Sequence, residues 1–111
     1  MPRYLVVLLL FGCAHTPNEI RQMSERFDHT TALAPKDAAA CIGRAIEGKN
    51  MQARWRDATG GSYEVIGSNA HGFMLVADIQ PTSKGSSVAV YVQRDLMYIV
   101  RDPLISAARG C

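Results

Sequence analysis

The chain has almost no charge of one sign to spare: 12 lysines and arginines face 10 aspartates and glutamates, leaving a formal +2 over 111 residues. That balance excludes the strongly basic footprint of a general nucleic-acid binder, so no nucleic-acid partner is expected. Long apolar runs are missing too. The most apolar stretch, Tyr4 to Phe11, is well short of the ~18 residues that span a bilayer, which excludes a permanent transmembrane helix there. Repeats and low-complexity tracts are absent, and 48% hydrophobic with 20% charged residues is an ordinary globular composition. The length allows one domain. Histidine is scarce: His15, His29 and His71 are far apart and share no ligand spacing with a carboxylate or thiol, so they read as solvated loop residues and no metal or cofactor is expected.

What is present begins at the first residues. Met1-Pro2-Arg3 carries one positive charge, Tyr4 to Phe11 is apolar, and Gly12 precedes Cys13. This is the layout of a secretory signal peptide, with a hydrophobic first strand as the alternative. The stretch Leu10-Phe11-Gly12-Cys13 resembles the lipobox of bacterial lipoproteins. Leu10, Gly12 and Cys13 carry the match, whereas Phe11 stands where that family usually has a small residue. The resemblance implies that residues 1–12 are removed and that Cys13 carries lipid. Ala14, in place of an aspartate, implies the outer membrane. Each buried methylene contributes about 0.8 kcal/mol, so a multiply acylated Cys13 would hold the protein on the membrane without further help.

With Cys13 assigned to lipid, Cys41 and Cys111 remain. In an oxidising periplasm they are expected to pair, tying the last residue to a helix; two separate thiols are the alternative.

Residues 13–34 read as a lipid-attached tether, part of it helical. Thr16 with Glu19 forms a capping box, Pro17 suits the first helical position, and Ile20, Met23 and Phe27 would share a face of a helix over 17–27. His29 to Ala34 reads as linker. Residues 35–111 then form the compact domain. Pro35 to Gly48 is the strongest helix, with Ala38, Cys41, Ile42, Ala45 and Ile46 at helical spacing. From Met51 the period changes to two. Strands are expected near 51–56, 62–67 and 73–80, with a turn at Pro81 to Ser86 and a returning strand through Val88, Val90 and Val92. Leu96 to Val100 extends that strand or forms one more, and Asp102-Pro103 opens a short terminal helix ending at Gly110. The fold class is therefore α+β: a helix on an antiparallel sheet of three to four strands, with a short C-terminal helix.

Several motifs resemble chemistry. Gly43 to Asn50 nearly spells a phosphate-binding loop, but Asn50 replaces the hydroxyl residue and the stretch ends a helix instead of following a strand, so a helix C-cap is the better reading. Glu64 and Asp78 fall on different strands, and a His71–Cys41 nucleophilic pair competes with a disulfide. Arg54-Trp55-Arg56 places both arginines on one side of a strand and Trp55 on the other, which favours a core tryptophan over a nucleic-acid platform. Phe73, Leu75 and Ile79 would meet the helix. Met74, Val76, Ala89 and Tyr91 then lie on the opposite side of the sheet. There the terminal helix covers them, or Met74, Val76 and Tyr91 bind a partner.

These features point to a non-enzymatic lipoprotein of the bacterial envelope, membrane-bound through Cys13 and contacting another envelope protein or the cell wall. An exclusion, inhibitor or immunity lipoprotein, using a loop such as Ser68 to Gly72 or Pro81 to Ser86, is the alternative. A small hydrolase using Asp78, Glu64 or His71 lacks a complete constellation.

Overall fold

The computed structural model describes residues 16–70, 72, 74–93 and 98–111, with the backbone alone at 98–100. Helix α1 (Pro17–Met23) leads into strand β1 (Ser24–Thr31) and helix α2 (Pro35–Glu47). Strands β2 (Gln52–Asp57), β3 (Tyr63–Ser68), β4 (Met74–Thr82) and β5 (Gly85–Gln93) follow, then helix α3 (Tyr98–Arg109). The fold is α+β, and the sheet has five antiparallel strands in the order β1-β5-β4-β3-β2. The fifth strand comes from the segment expected to be tether and linker. Thr16 caps α1 as anticipated, accepting a hydrogen bond from the Glu19 N–H at 3.2 Å. The helix nevertheless stops at Met23, because Ser24 begins a strand paired with β5, and Met23 is exposed instead of sharing a buried face with Ile20. In the 13–34 segment, residues 16–31 are therefore part of the folded domain.

The β2 to β5 portion is a meander, whereas β1 lies at the far edge from β2. Helix α2 makes the crossing between them, over one face of the sheet. Its buried residues, Ala38, Ala39, Ile42 and Ile46, sit at helical spacing, and the small ones allow close approach. Gly67 lies beneath the same helix, and a Cβ there would be 2.7 Å from the Ile46 Cδ1, so that side chain would have to shift. Against this helix pack Val65, Leu75, Ala77, Ile79, Val88, Val90 and Val92, the alternate residues of three strands. Helix α3 joins the same face, burying Leu104, Ile105 and Ala108 in that core. It begins at Tyr98, so Tyr98 to Val100 are helical and not a further strand, and Pro103 lies inside its first half.

The C-terminus is fixed from two sides. Cys41 and Cys111 stand at disulfide distance, with Cα atoms 5.8 Å apart, and the Thr31 hydroxyl donates to the Cys111 carbonyl at 2.5 Å. Arg101 pairs with Glu25 at 2.8 Å and Arg109 lies 5.7 Å over the Phe27 ring, so α3 is also tied to the edge strand β1.

His29 is on β1 and not in a loop. Both its ring nitrogens are buried without a hydrogen-bond partner among the described residues. Burial, then the charge of Arg109, lowers its pKa, because the imidazolium is poorly solvated and faces a cation. A group whose folded pKa is depressed stabilises the fold above its unfolded value and loses that contribution as pH falls.

Two predictions follow from this packing. Reducing the Cys41–Cys111 pair opens a loop with a sequence separation of 70. That should cost up to about 4 kcal/mol on the chain-entropy scale. The check is Tm with and without reductant; an unchanged Tm would show that the two cysteines are not bonded. Between about pH 7 and pH 5, above the carboxylate range, the urea midpoint should fall as His29 is forced to protonate, and His29→Gln should flatten that fall.

Candidate functional site

The sheet's other face holds the more unusual chemistry. On it lie Ser24, Arg26, Asp28 and Thr30 of β1, the alternate residues Ser87, Ala89, Tyr91 and Gln93 of β5, and Met74, Val76, Asp78 and Gln80 of β4. Glu64 and Ile66 of β3 and Arg54 and Arg56 of β2 complete it. The cover here is α1 and not the terminal helix, which packs with α2 on the opposite face. The reason is connectivity: α1 must cross from its start at Pro17, beside Arg54 and Ile66, to β1 at the far edge. Its contacts with β4 and β5 leave Ile20 and Val76 fully buried.

A helix of seven residues does not hold itself in water, so α1 depends on what it touches. Ile20 supplies the apolar contact, and Arg21 supplies the polar one. The Arg21 guanidinium uses all its nitrogens: Nε donates to Asp78 Oδ2 at 2.7 Å, Nη1 to Asn18 Oδ1 at 2.8 Å, and Nη2 to Asp78 Oδ1 at 2.6 Å and to Glu64 Oε2. The fork on Asp78 is the bidentate geometry that makes arginine–carboxylate pairs strong. Glu64 receives a second arginine, with Arg56 Nε at 2.6 Å from Oε1. Its side chain is only 7% exposed, so this carboxylate is desolvated and held by two cations. The hydrogen bonds to Asp78 raise the Arg21 pKa above the ordinary arginine value, against the opposing effect of burial, and contact with Glu64 adds to the rise.

Sequence reading placed Glu64 and Asp78 on separate strands, and the register puts them directly opposite each other on β3 and β4. Two facing carboxylates resemble a catalytic dyad. Here both are engaged by Arg21. Arg21 was missed because the sequence places it on a polar face of a short helix, with no local signal for partners 43 and 57 residues away.

The anticipated binding trio divides. Val76 is fully buried and faces no solvent, because α1 lies above β4. Tyr91 and Met74 are half-buried. Met74 donates its N–H to Gln93 Oε1 at 3.3 Å, and Tyr91 lies 5.8 Å beneath the Arg26 guanidinium. Beyond α1 the face stays open as a polar groove of about 620 Å³, lined by Arg26, Asp28, Thr30, Asp78, Gln80 and Tyr91 among others. Arg26 and Asp28 pair within it at 2.7 Å, and both are well exposed. The groove offers hydrogen bonds and balanced charge. No cluster of three metal-ligating side chains occurs among the described residues. Cys13, His15, His71 and Phe73 lie outside the described residues.

Two further expectations change. Pro81 to Ser86 is not a protruding loop: Pro81 and Thr82 continue β4, Gly85 begins β5, and Ser83-Lys84 alone make the turn. Gly85 is required there, since its φ is +148° and a Cβ would lie 2.1 Å from the Thr31 carbonyl oxygen. Trp55 is not a core residue. It points to the helix side of the sheet, yet β2 is the outermost strand, and 51% of Trp55 remains exposed beside Lys36 and Tyr63.

Comparison with protein-family models, curated proteins and solved structures finds no match.

Replacing Arg21 by methionine keeps much of its packing volume and removes the bridge, leaving Asp78 without its partner and Glu64 with Arg56 alone. The expected loss is about 2 kcal/mol, below the 3–5 typical of fully buried pairs because Asp78 and Arg21 are partly solvated. Adding Asp78→Asn to Arg21→Met should recover part of that loss. Denaturant midpoints of the four proteins in the double-mutant cycle give the answer.

Proposed function

We propose that the protein is a lipid-anchored lipoprotein of the bacterial envelope, held at the outer membrane through Cys13 and acting by binding and not by catalysis. The observation that carries this reading is the sequence Leu10-Phe11-Gly12-Cys13 after a short charged start and an apolar run. Cysteine usage supports it. Cys41 and Cys111 stand at disulfide distance, a pairing that suits an oxidising compartment, and Cys13 is the cysteine left over. No helix among the described residues is long and apolar enough to cross a membrane.

On this reading the domain begins almost at the membrane. Cys13 precedes the capped start of α1 by three residues, and α1 is locked to the sheet by Ile20 and Arg21. The groove of Arg26, Asp28, Gln80 and Tyr91 is then the surface offered to another envelope protein or to the cell wall. Tethering raises the local concentration of such a partner, so a small polar contact surface suffices. Engagement of Glu64 and Asp78 by Arg21 supports a structural use for those carboxylates.

The test is replacement of Cys13 by serine, followed by fractionation and mass measurement of the expressed protein. The native chain should be found with membranes and carry acyl mass. The Cys13→Ser chain should lack that mass and leave the outer-membrane fraction. An unacylated native chain would overturn the reading.

A further inference from the structure

The corner at Arg54, Trp55 and Arg56 is used neither by the core nor by the groove. Trp55 is half exposed, an unusual place for the chain's one tryptophan. Trp55 borders two hollows. Lys36, Arg56, Asp57 and Tyr63 line one, and Pro17, Arg54, Arg56 and Ile66 line the other. Three cations therefore lie around this edge strand, Lys36 on the Trp55 side and Arg54 and Arg56 on the other, with Asp57 and the Arg56-bound Glu64 as the acids. Arg54 and Lys36 are exposed and make no ion pair among the described residues, and Arg56 remains 69% exposed despite its bond to Glu64. The net charge of the chain is small, yet this corner is locally basic.

Its position within the chain is the second observation. Pro17, the first residue of α1, borders the Trp55 hollow, and Cys13 lies four residues upstream. Four extended residues reach at most about 14 Å. Whatever holds Cys13 is thus confined to within about 14 Å of Pro17.

We propose that this corner is a membrane-contact surface, with Trp55 seated at headgroup depth and Lys36, Arg54 and Arg56 on the phosphates of anionic lipids. The inference rests on the lipid-anchor reading, and it adds an orientation to it. Tryptophan belongs at the interface because its ring is apolar and its indole N–H is polar. Arginine forks match phosphate oxygens. Seating this edge on the bilayer leaves the groove, which extends onto β1, toward the opposite edge of the sheet from the lipid.

A second copy fits the corner less well. Joining two copies antiparallel along β2 with the sheet faces continuous sets arginine against arginine in the longest registers, a destabilising like-charge contact.

The test uses the acylated full chain reconstituted into vesicles of phosphatidylglycerol mixed with phosphatidylcholine, and of phosphatidylcholine alone, both containing lipid spin-labelled at the headgroup. Trp55 is the sole tryptophan, so its emission reports this corner directly. In the anionic vesicles its emission should move to the blue and be quenched. Lys36→Gln and Arg54→Gln should each lower the docked-to-undocked ratio by about fivefold, while flotation with the vesicles stays unchanged. If the chain floats with the vesicles but Trp55 is unquenched, or is quenched equally in neutral vesicles and in the variants, the contact surface is overturned and the anchor stands. If the native chain proves unacylated, yet Trp55 is quenched by anionic vesicles in a manner those two substitutions abolish, the anchor fails and the surface stands.

Discussion

Arg21 holds the second face of the sheet together. The central strands β4 and β5 are apolar on the side covered by α2 and α3, and Val76 places one fully buried apolar side chain of β4 on the other side as well. A sheet of this kind needs cover twice, and the chain supplies for the second face a helix too short to be stable alone. Arg21 resolves this by reaching two carboxylates on adjacent strands while Ile20 fills the space over β4 and β5. Glu64 and Asp78 in turn face each other without open repulsion because a guanidinium sits between them. The strand that follows α1 then enters the sheet in register with β5, which adds an edge strand and a docking surface for α3.

The Cys41–Cys111 pair completes the opposite layer. It joins the two helices that share one face, and Thr31 adds a bond from β1 to the same terminal carbonyl. Both ends of the folded region are therefore fixed to the sheet, the first through Arg21 and the last through Cys111. A domain built this way can be carried on a short lipid-attached segment and present a fixed face, which is the physical requirement of the proposed role. Connectivity also sets the polarity of the molecule: α1 starts at the β2 edge, and the polar groove reaches the β1 edge.

Much of this was legible in the residues, and the misses have identifiable causes. The spacing of Ala38, Cys41, Ile42 and Ile46 located α2, and the alternation through Leu75, Ala77 and Ile79 located β4, because each pattern reflects one buried face. Ser24 to Thr31 was not legible as a strand. Phe27 is its one apolar residue and the rest are polar or charged on an edge strand, so its period carries little hydrophobic signal. Trp55 misled in the other direction: its alternation gave the correct side of the sheet, but not its place on the outermost strand. For the candidate site, Glu64 and Asp78 were visible as residues and invisible as a pair. The binding trio was assigned to the correct face, but the helix that covers Val76 was not foreseen.

By itself the sequence determined the α+β class, the extent of the main helix, the presence of the hairpin, the Thr16 cap and the small-residue face that admits close packing, since these follow from interactions within a few residues or from one repeating period. It also carries the lipobox-like start, a matter of linear order alone. Strand order, the choice of α1 over α3 to cover the second face, the Arg21 bridge and the exposure of Trp55 were decided only in three dimensions. Each depends on groups far apart in the chain arriving at one place, and no local pattern encodes where β1 and β2 sit at opposite edges of the sheet.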